Sequence, residues 1–173
     1  DADVFTYVYG HREEFYKSIG IEEVRRKIAS VWARGAYGFV QQINGHNILD
    51  EKGFKKYVKR LKKTDVQDQE GIIVNAKMSN AEKTGDWKTY ISLGSEQLKN
   101  GGVGDMQLFN WGLRVDQQCK NDVYRKQAAQ WFVNAAAESA KKEAEGKVNM
   151  MSYRKFFEEL AVSLQNPWKE KRR

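Results

Sequence analysis

Sulfur, imidazole and paired carboxylates are the groups in this chain that could make or break bonds, and each sits in a pattern that argues against it. Cys119 is the single cysteine. A nucleophilic cysteine needs a base or a positive field to become a thiolate. The two histidines, His11 and His46, lie far from it in sequence. Cys119 also ends an apolar stripe, so it reads as a buried structural thiol. With no second cysteine there is no Cys-x-x-Cys dithiol, and this segment cannot run dithiol–disulfide exchange alone. Two His and one Cys form no close-spaced ligand set, so no metal and no cofactor is expected. Asp65-Val66-Gln67-Asp68-Gln69-Glu70 resembles a calcium loop only superficially. Gln67 and Gln69 occupy its third and fifth positions and Gly71 comes late, so it reads as a helix start. Glu13-Glu14, Glu22-Glu23 and Glu158-Glu159 are adjacent on helices and point in different directions, whereas acid–base work needs carboxylates facing across a cleft. Gly101-Gly102-Val103-Gly104 is followed by Asp105 and Met106, not by the Lys-Ser/Thr pair of a phosphate loop. No catalytic residue is assigned, and the chain is not expected to be an enzyme.

Binding is the remaining chemistry, and charge and aromatics bear on it. The net charge is +7. Residues 50–64 carry seven positive against two negative charges, and residues 147–173 seven against three. These two segments supply the excess, whereas a dedicated nucleic-acid domain spreads its basic residues over one continuous face. The helix over 52–63 is therefore an alternative site for polyanion or nucleic-acid binding, through Lys55, Lys56, Lys59 and Lys63. Five tryptophans and eight tyrosines are a generous aromatic supply. Trp32, Tyr37, Trp87, Tyr90, Trp111 and Trp131 are candidates to line a protein-binding groove, although core packing accounts for them equally well.

The elements that would position these residues are helical. The single proline, Pro167, favours helices over an all-β fold of this length. A first helix is predicted from about Ala2 to Ser18, capped by Asp1 or Asp3, and a second from Ile21 to Ile43, with Asn44-Gly45-His46-Asn47 as the turn out. Asp50 caps a third, in which Phe54, Tyr57, Val58 and Leu61 make one apolar stripe. Thr64 or Asp65 caps a fourth reaching Lys83. Gly85 turns the chain and Asp86 caps a fifth. Residues 100–104 form a flexible connection and Asp105 caps a sixth helix. Asn121 or Asp122 starts the longest helix, which Gly146 ends. Asn149 or Ser152 opens the last, which stops at Asn166-Pro167.

About eight helices on short turns cannot each bury a face alone. Stacked antiparallel hairpins solve that, so the expected fold is an all-α, tetratricopeptide-like superhelix. One domain is expected over 1–168, followed by a basic tail over 169–173. No apolar run approaches the ~20 residues of a membrane span. The chain opens on Asp1-Ala2-Asp3-Val4-Phe5 without an initiator methionine and without a signal peptide, as expected of a mature form or an excised fragment.

Three stretches and the opening of the chain carry a resemblance. They are Asn80-Ala81-Glu82-Lys83-Thr84-Gly85-Asp86-Trp87-Lys88-Thr89-Tyr90, then Phe109-Asn110-Trp111-Gly112-Leu113-Arg114-Val115-Asp116-Gln117-Gln118-Cys119, then Arg125-Lys126-Gln127-Ala128-Ala129-Gln130-Trp131. Phe5-Thr6-Tyr7 through His11-Arg12-Glu13-Glu14-Phe15 fits as well. Together these resemble the all-helical C-terminal extension of bacterial thioredoxin-family proteins, over nearly the whole chain. The resemblance implies a parent that is an exported thiol–disulfide protein of the periplasm or cell envelope, with its dithiol in a separate thioredoxin domain. It implies a protein partner, or that adjacent domain, as what this chain contacts.

Overall fold

The computed structural model describes residues 2–101, 103–146 and 151–165, without the side chains of 2–5 and 151–153. It is an all-α fold of nine helices among the described residues, with one short β-hairpin. The chain divides into two compact units, Asp1–Thr84 and Gly85–Arg173.

The first unit holds α1 (Ala2–Gly10), α2 (Arg12–Ile19), α3 (Ile21–Gly35), the strands β1 (Val40–Ile43) and β2 (His46–Leu49), α4 (Glu51–Leu61) and α5 (Gln69–Thr84). Its core joins Val24 and Ile28 of α3, Phe54, Tyr57 and Leu61 of α4, and Ile72, Ile73 and Ala76 of α5. The apolar stripe expected on α4 is therefore the face that packs. Asp50 caps that helix as expected, accepting from Gly53 N–H at 2.9 Å.

The second unit holds α6 (Trp87–Asn100), α7 (Asp105–Gln118), α8 (Asp122–Ala144) and α9 (Met151–Gln165). α7 packs along α8 and α8 along α9. Asp86 accepts from Thr89 N–H at 3.1 Å and Asn121 from Val123 N–H at 2.9 Å, as the cap residues predict. Gly85 has a φ of +74°, the left-handed conformation expected at that turn. Ala129, Phe132, Ala161 and Leu164 are buried together at the α8–α9 contact.

Four expectations are corrected. The second helix does not reach Ile43. It ends at Gly35, and residues 40–49 form an antiparallel hairpin pairing Val40 with Leu49 and Ile43 with His46. Asn44 and Gly45 both take positive φ, 51° and 81°. Such a two-residue turn matches the twist of paired strands, and Asn-Gly is the pair that adopts it most readily. The first helix breaks at His11, where φ is −109° and ψ is 21°. The fourth expected helix, now α5, starts at Gln69, with Asp68 accepting from Gly71 N–H at 3.1 Å. Thr64 instead closes α4, its hydroxyl donating to Leu61 O at 2.6 Å. Lastly, Asp105 does not cap α7 from outside. Gly104 occupies the cap position and Asp105 is the first helical residue, only 3 % exposed. The expected cap at Asn149, the stop at Asn166-Pro167 and the tail 169–173 lie outside the described residues.

Candidate functional site

The first unit carries a cleft of about 680 Å³ between α1, α3 and α4. Its apolar walls come from Trp32 on α3, Phe39 ahead of the hairpin and Tyr57 on α4, with Tyr9 at one side. The rings lie at angles to one another: Trp32 and Tyr57 are 5.5 Å apart and tilted by 54°, and Phe39 and Tyr57 are 5.4 Å apart and tilted by 54°. The Tyr57 hydroxyl donates to Trp32 O at 2.6 Å. Burial, with a smaller contribution from Tyr37, pushes that phenol up to about 12, so it stays protonated and keeps the bond at neutral pH. Asp50 N–H donates to Phe39 O at 2.7 Å, which ties the start of α4 to the segment carrying Phe39. These two bonds fix the floor of the cleft before anything enters it.

Lys56, Arg60 and Lys63 line the same cleft. They recur at i, i+4 and i+7, one face of a helix. Lys63 lies just past the end of α4, where its N–H donates to Arg60 O at 3.1 Å and so continues the helical path. All three are exposed, and none has an ion-pair partner among the described residues. Two neighbours differ, Lys55 pairing with Glu51 at 3.3 Å and Lys62 with Glu70 at 2.9 Å, while Lys52 and Lys59 likewise have no ion-pair partner among the described residues.

Of the four lysines considered for polyanion binding, Lys56 and Lys63 meet in the cleft, whereas Lys55 and Lys59 do not line it. Arg60 was not among them, yet it sits between Lys56 and Lys63. The seven-residue rhythm of the three cations is legible in sequence. That Trp32 and Phe39 face them is not, because it depends on how α3 and α4 pack.

The six aromatics proposed for a groove fall in both units. Trp32 lines the cleft and is partly buried. Tyr37, 40 % exposed, lies 5.9 Å beneath the Lys83 ammonium. In the second unit Trp87, Tyr90, Trp131 and Trp111 form a continuous run of ring contacts, at 5.6, 6.1 and 5.8 Å. Tyr90, Trp111 and Trp131 are buried. Packing accounts for those three, and a ligand would reach them only if the helices parted.

Other groups with chemical potential are held in structural settings. The Cys119 thiol is buried and donates weakly to Asn121 O at 3.7 Å; burial pushes its pKa up. Asp105 accepts from Ser139 Oγ at 3.0 Å, Lys142 Nζ at 2.6 Å and Met106 N–H at 2.9 Å. Burial alone would raise its carboxyl, but those three donors outweigh it and hold the pKa below the ordinary value. The bonds tie the start of α7 to the last third of α8. Among the described residues no three of His, Cys, Asp and Glu cluster as metal ligands, and no helix is long and apolar enough to cross a membrane.

No known family model, curated protein or solved structure matches this chain.

Proposed function

We propose that this chain is a protein-interaction module, the helical part of a larger thioredoxin-family thiol–disulfide protein, and that it recognises its partner through the cleft of the first unit. The observation that carries the recognition role is the combination of an apolar aromatic floor with Lys56, Arg60 and Lys63, cations without ion-pair partners among the described residues. Binding sites are concave and mostly apolar, with a few polar groups that fix orientation, and this cleft has that character. The family reading rests on the resemblance of residues 80–90, 109–119 and 125–131, and with it come the tetratricopeptide-like stacking of helices and the cell-envelope setting. Bond chemistry would belong to a dithiol domain elsewhere in the parent.

A displayed library of random peptides tests the recognition role without assuming a partner. Enrichment on the native chain that disappears on the Lys56→Glu/Arg60→Glu/Lys63→Glu variant supports it. Equal enrichment on both, or none on either, contradicts it. The family reading is tested separately, by whether the reading frame upstream of Asp1 encodes a Cys-x-x-Cys domain. The second reading, general polyanion binding by the basic helix, is favoured by the same cations, which have no ion-pair partner among the described residues. It requires binding that falls steeply with salt and that Lys55→Glu/Lys59→Glu weakens as much as the cleft variant does.

A further inference from the structure

We infer that the cleft takes an extended acidic peptide segment carrying one aromatic or large aliphatic side chain, with that side chain on the aromatic floor and its flanking carboxylates on Lys56, Arg60 and Lys63. This rests on the reading of the cleft as the recognition site and names the chemistry of its occupant.

Spacing is the first argument. The three cations follow one another along the helix axis by about 6 Å and then about 4.5 Å, from the rise of 1.5 Å per residue. An extended chain advances about 3.3 Å per residue and turns alternate side chains to the same side. Carboxylates two residues apart therefore meet Lys56 and Arg60, and the chain spans all three cations in about three residues. The intervening side chain points away from α4, toward the part of the floor formed by Trp32 and Phe39.

Charge is the second argument. Lys55 and Lys62 of the basic segment have carboxylate partners within the chain, whereas the three cleft cations, like Lys52 and Lys59 outside the cleft, have none among the described residues; only the cleft cations also border an apolar floor. An acidic segment supplies the missing counter-charge. Arg60, at the middle, offers a planar fork that holds a carboxylate by two parallel bonds.

Ring geometry separates a peptide from a nucleic acid. Successive bases stack on aromatic faces that present a platform. Here the cleft rings Trp32 and Phe39 are each tilted by 54° from Tyr57. That arrangement builds a concave floor suited to one side chain and offers no flat run for consecutive bases. The floor is also pre-set by the bond from the Tyr57 hydroxyl to Trp32 O.

Fluorescence anisotropy tests the inference with a labelled eight-residue peptide in which Asp flanks a single Phe. The native chain binds it. Lys56→Glu/Arg60→Glu/Lys63→Glu weakens binding by about tenfold or more, since each exposed pair lost becomes a repulsion. Lys52→Glu/Lys55→Glu/Lys59→Glu, the same number of charge reversals outside the cleft, leaves it within about twofold. Replacing the peptide's Phe with Ala weakens binding by about tenfold or more, the loss expected for a buried aromatic. Circular dichroism on each variant separates lost binding from lost fold. Two results overturn the inference while leaving the cleft as an anion site: an oligothymidylate that binds as tightly as the peptide, or indifference to the Phe-to-Ala change. Equal loss in both charge variants, or no binding of the peptide to the native chain, overturns it together with the assignment of the cleft.

Discussion

Replacing Gly112 with Ala puts one methyl group where α7 packs against Phe132 of α8. A Cβ on Gly112 would stand 2.7, 2.9 and 3.0 Å from three ring carbons of Phe132. Carbon atoms in contact normally stand at ~3.5–4.0 Å. The ring cannot easily step back, because Phe132 is fully buried and Phe109 lies against it at 6.0 Å. Overpacking of this kind costs ~1–3 kcal/mol. Helix propensity works the other way, since Ala is favoured over Gly in a helix by ~1 kcal/mol. The balance is a net destabilisation of ~0–2 kcal/mol, which reports the clash, because propensity alone would stabilise by ~1 kcal/mol. Urea unfolding followed by far-ultraviolet circular dichroism measures it. A double-mutant cycle isolates the contact. With Phe132→Leu already in place, Gly112→Ala should cost nothing or gain up to ~1 kcal/mol from propensity. Additive losses, or a single Gly112→Ala variant more stable than the native chain by the ~1 kcal/mol of propensity, would refute the close approach of α7 and α8 at this point.

Asp105→Asn removes a buried carboxylate from Ser139, Lys142 and the Met106 N–H, and should cost ~1–3 kcal/mol at neutral pH, discounted because Lys142 is partly exposed. Because the folded-state pKa of Asp105 lies below its unfolded value, its stabilisation is present above the ordinary carboxylate range and is lost as pH falls through the folded value. Unfolding midpoints measured between pH 2 and 6, about the range set by carboxylate pKa values, should fall more steeply for the native chain than for the variant; parallel curves would count against this. Asn80 is 2 % exposed, and neither side-chain amide atom has a hydrogen-bond partner among the described residues. Asn80→Leu should therefore leave the unfolding midpoint unchanged or raise stability by ~1 kcal/mol, and a clear loss would mean that the amide is paired. Cys119 should react with a disulfide reagent at less than about a tenth of the rate seen in urea, given its burial and raised pKa. Rapid labelling of the native chain would contradict its packing.

Local signals in the sequence proved the most dependable. Asp50, Asp86 and Asn121 each cap the helix that follows, and Gly85 takes the turn assigned to it, because a cap or a turn is settled by a few adjacent residues. The hairpin was also encoded locally, in Asn44-Gly45. Val31, Gly35, Phe39 and Gln42 mask it, because they continue the spacing of α3 and carry a helical stripe straight through the strand. The role of Asp105 was hidden for another reason. An acidic residue at a helix start reads as a cap, and its actual partners, Ser139 and Lys142, lie 34 and 37 residues away. The same limit applies to the aromatics. Periodicity identified inward stripes, but whether a ring meets other rings, as Trp131 does, or borders a cleft, as Trp32 does, depends on which helices pair. Lys56 and Lys63 were visible as basic residues, while their shared orientation with Arg60 toward Trp32 and Phe39 emerges only when α3 and α4 are folded together.

The recognition cleft is the central claim, and the indole N–H signals of the five tryptophans offer a direct reading of it. Two-dimensional nitrogen–proton spectra are recorded while the Asp-flanked Phe peptide is titrated into the chain, with each indole assigned by substitution to Phe. The account predicts that the Trp32 signal moves in a saturable way and that those of Trp111 and Trp131, buried in the second unit, stay in place. Saturable movement of Trp111 or Trp131 with Trp32 unchanged would contradict it and would move the binding surface to the other unit.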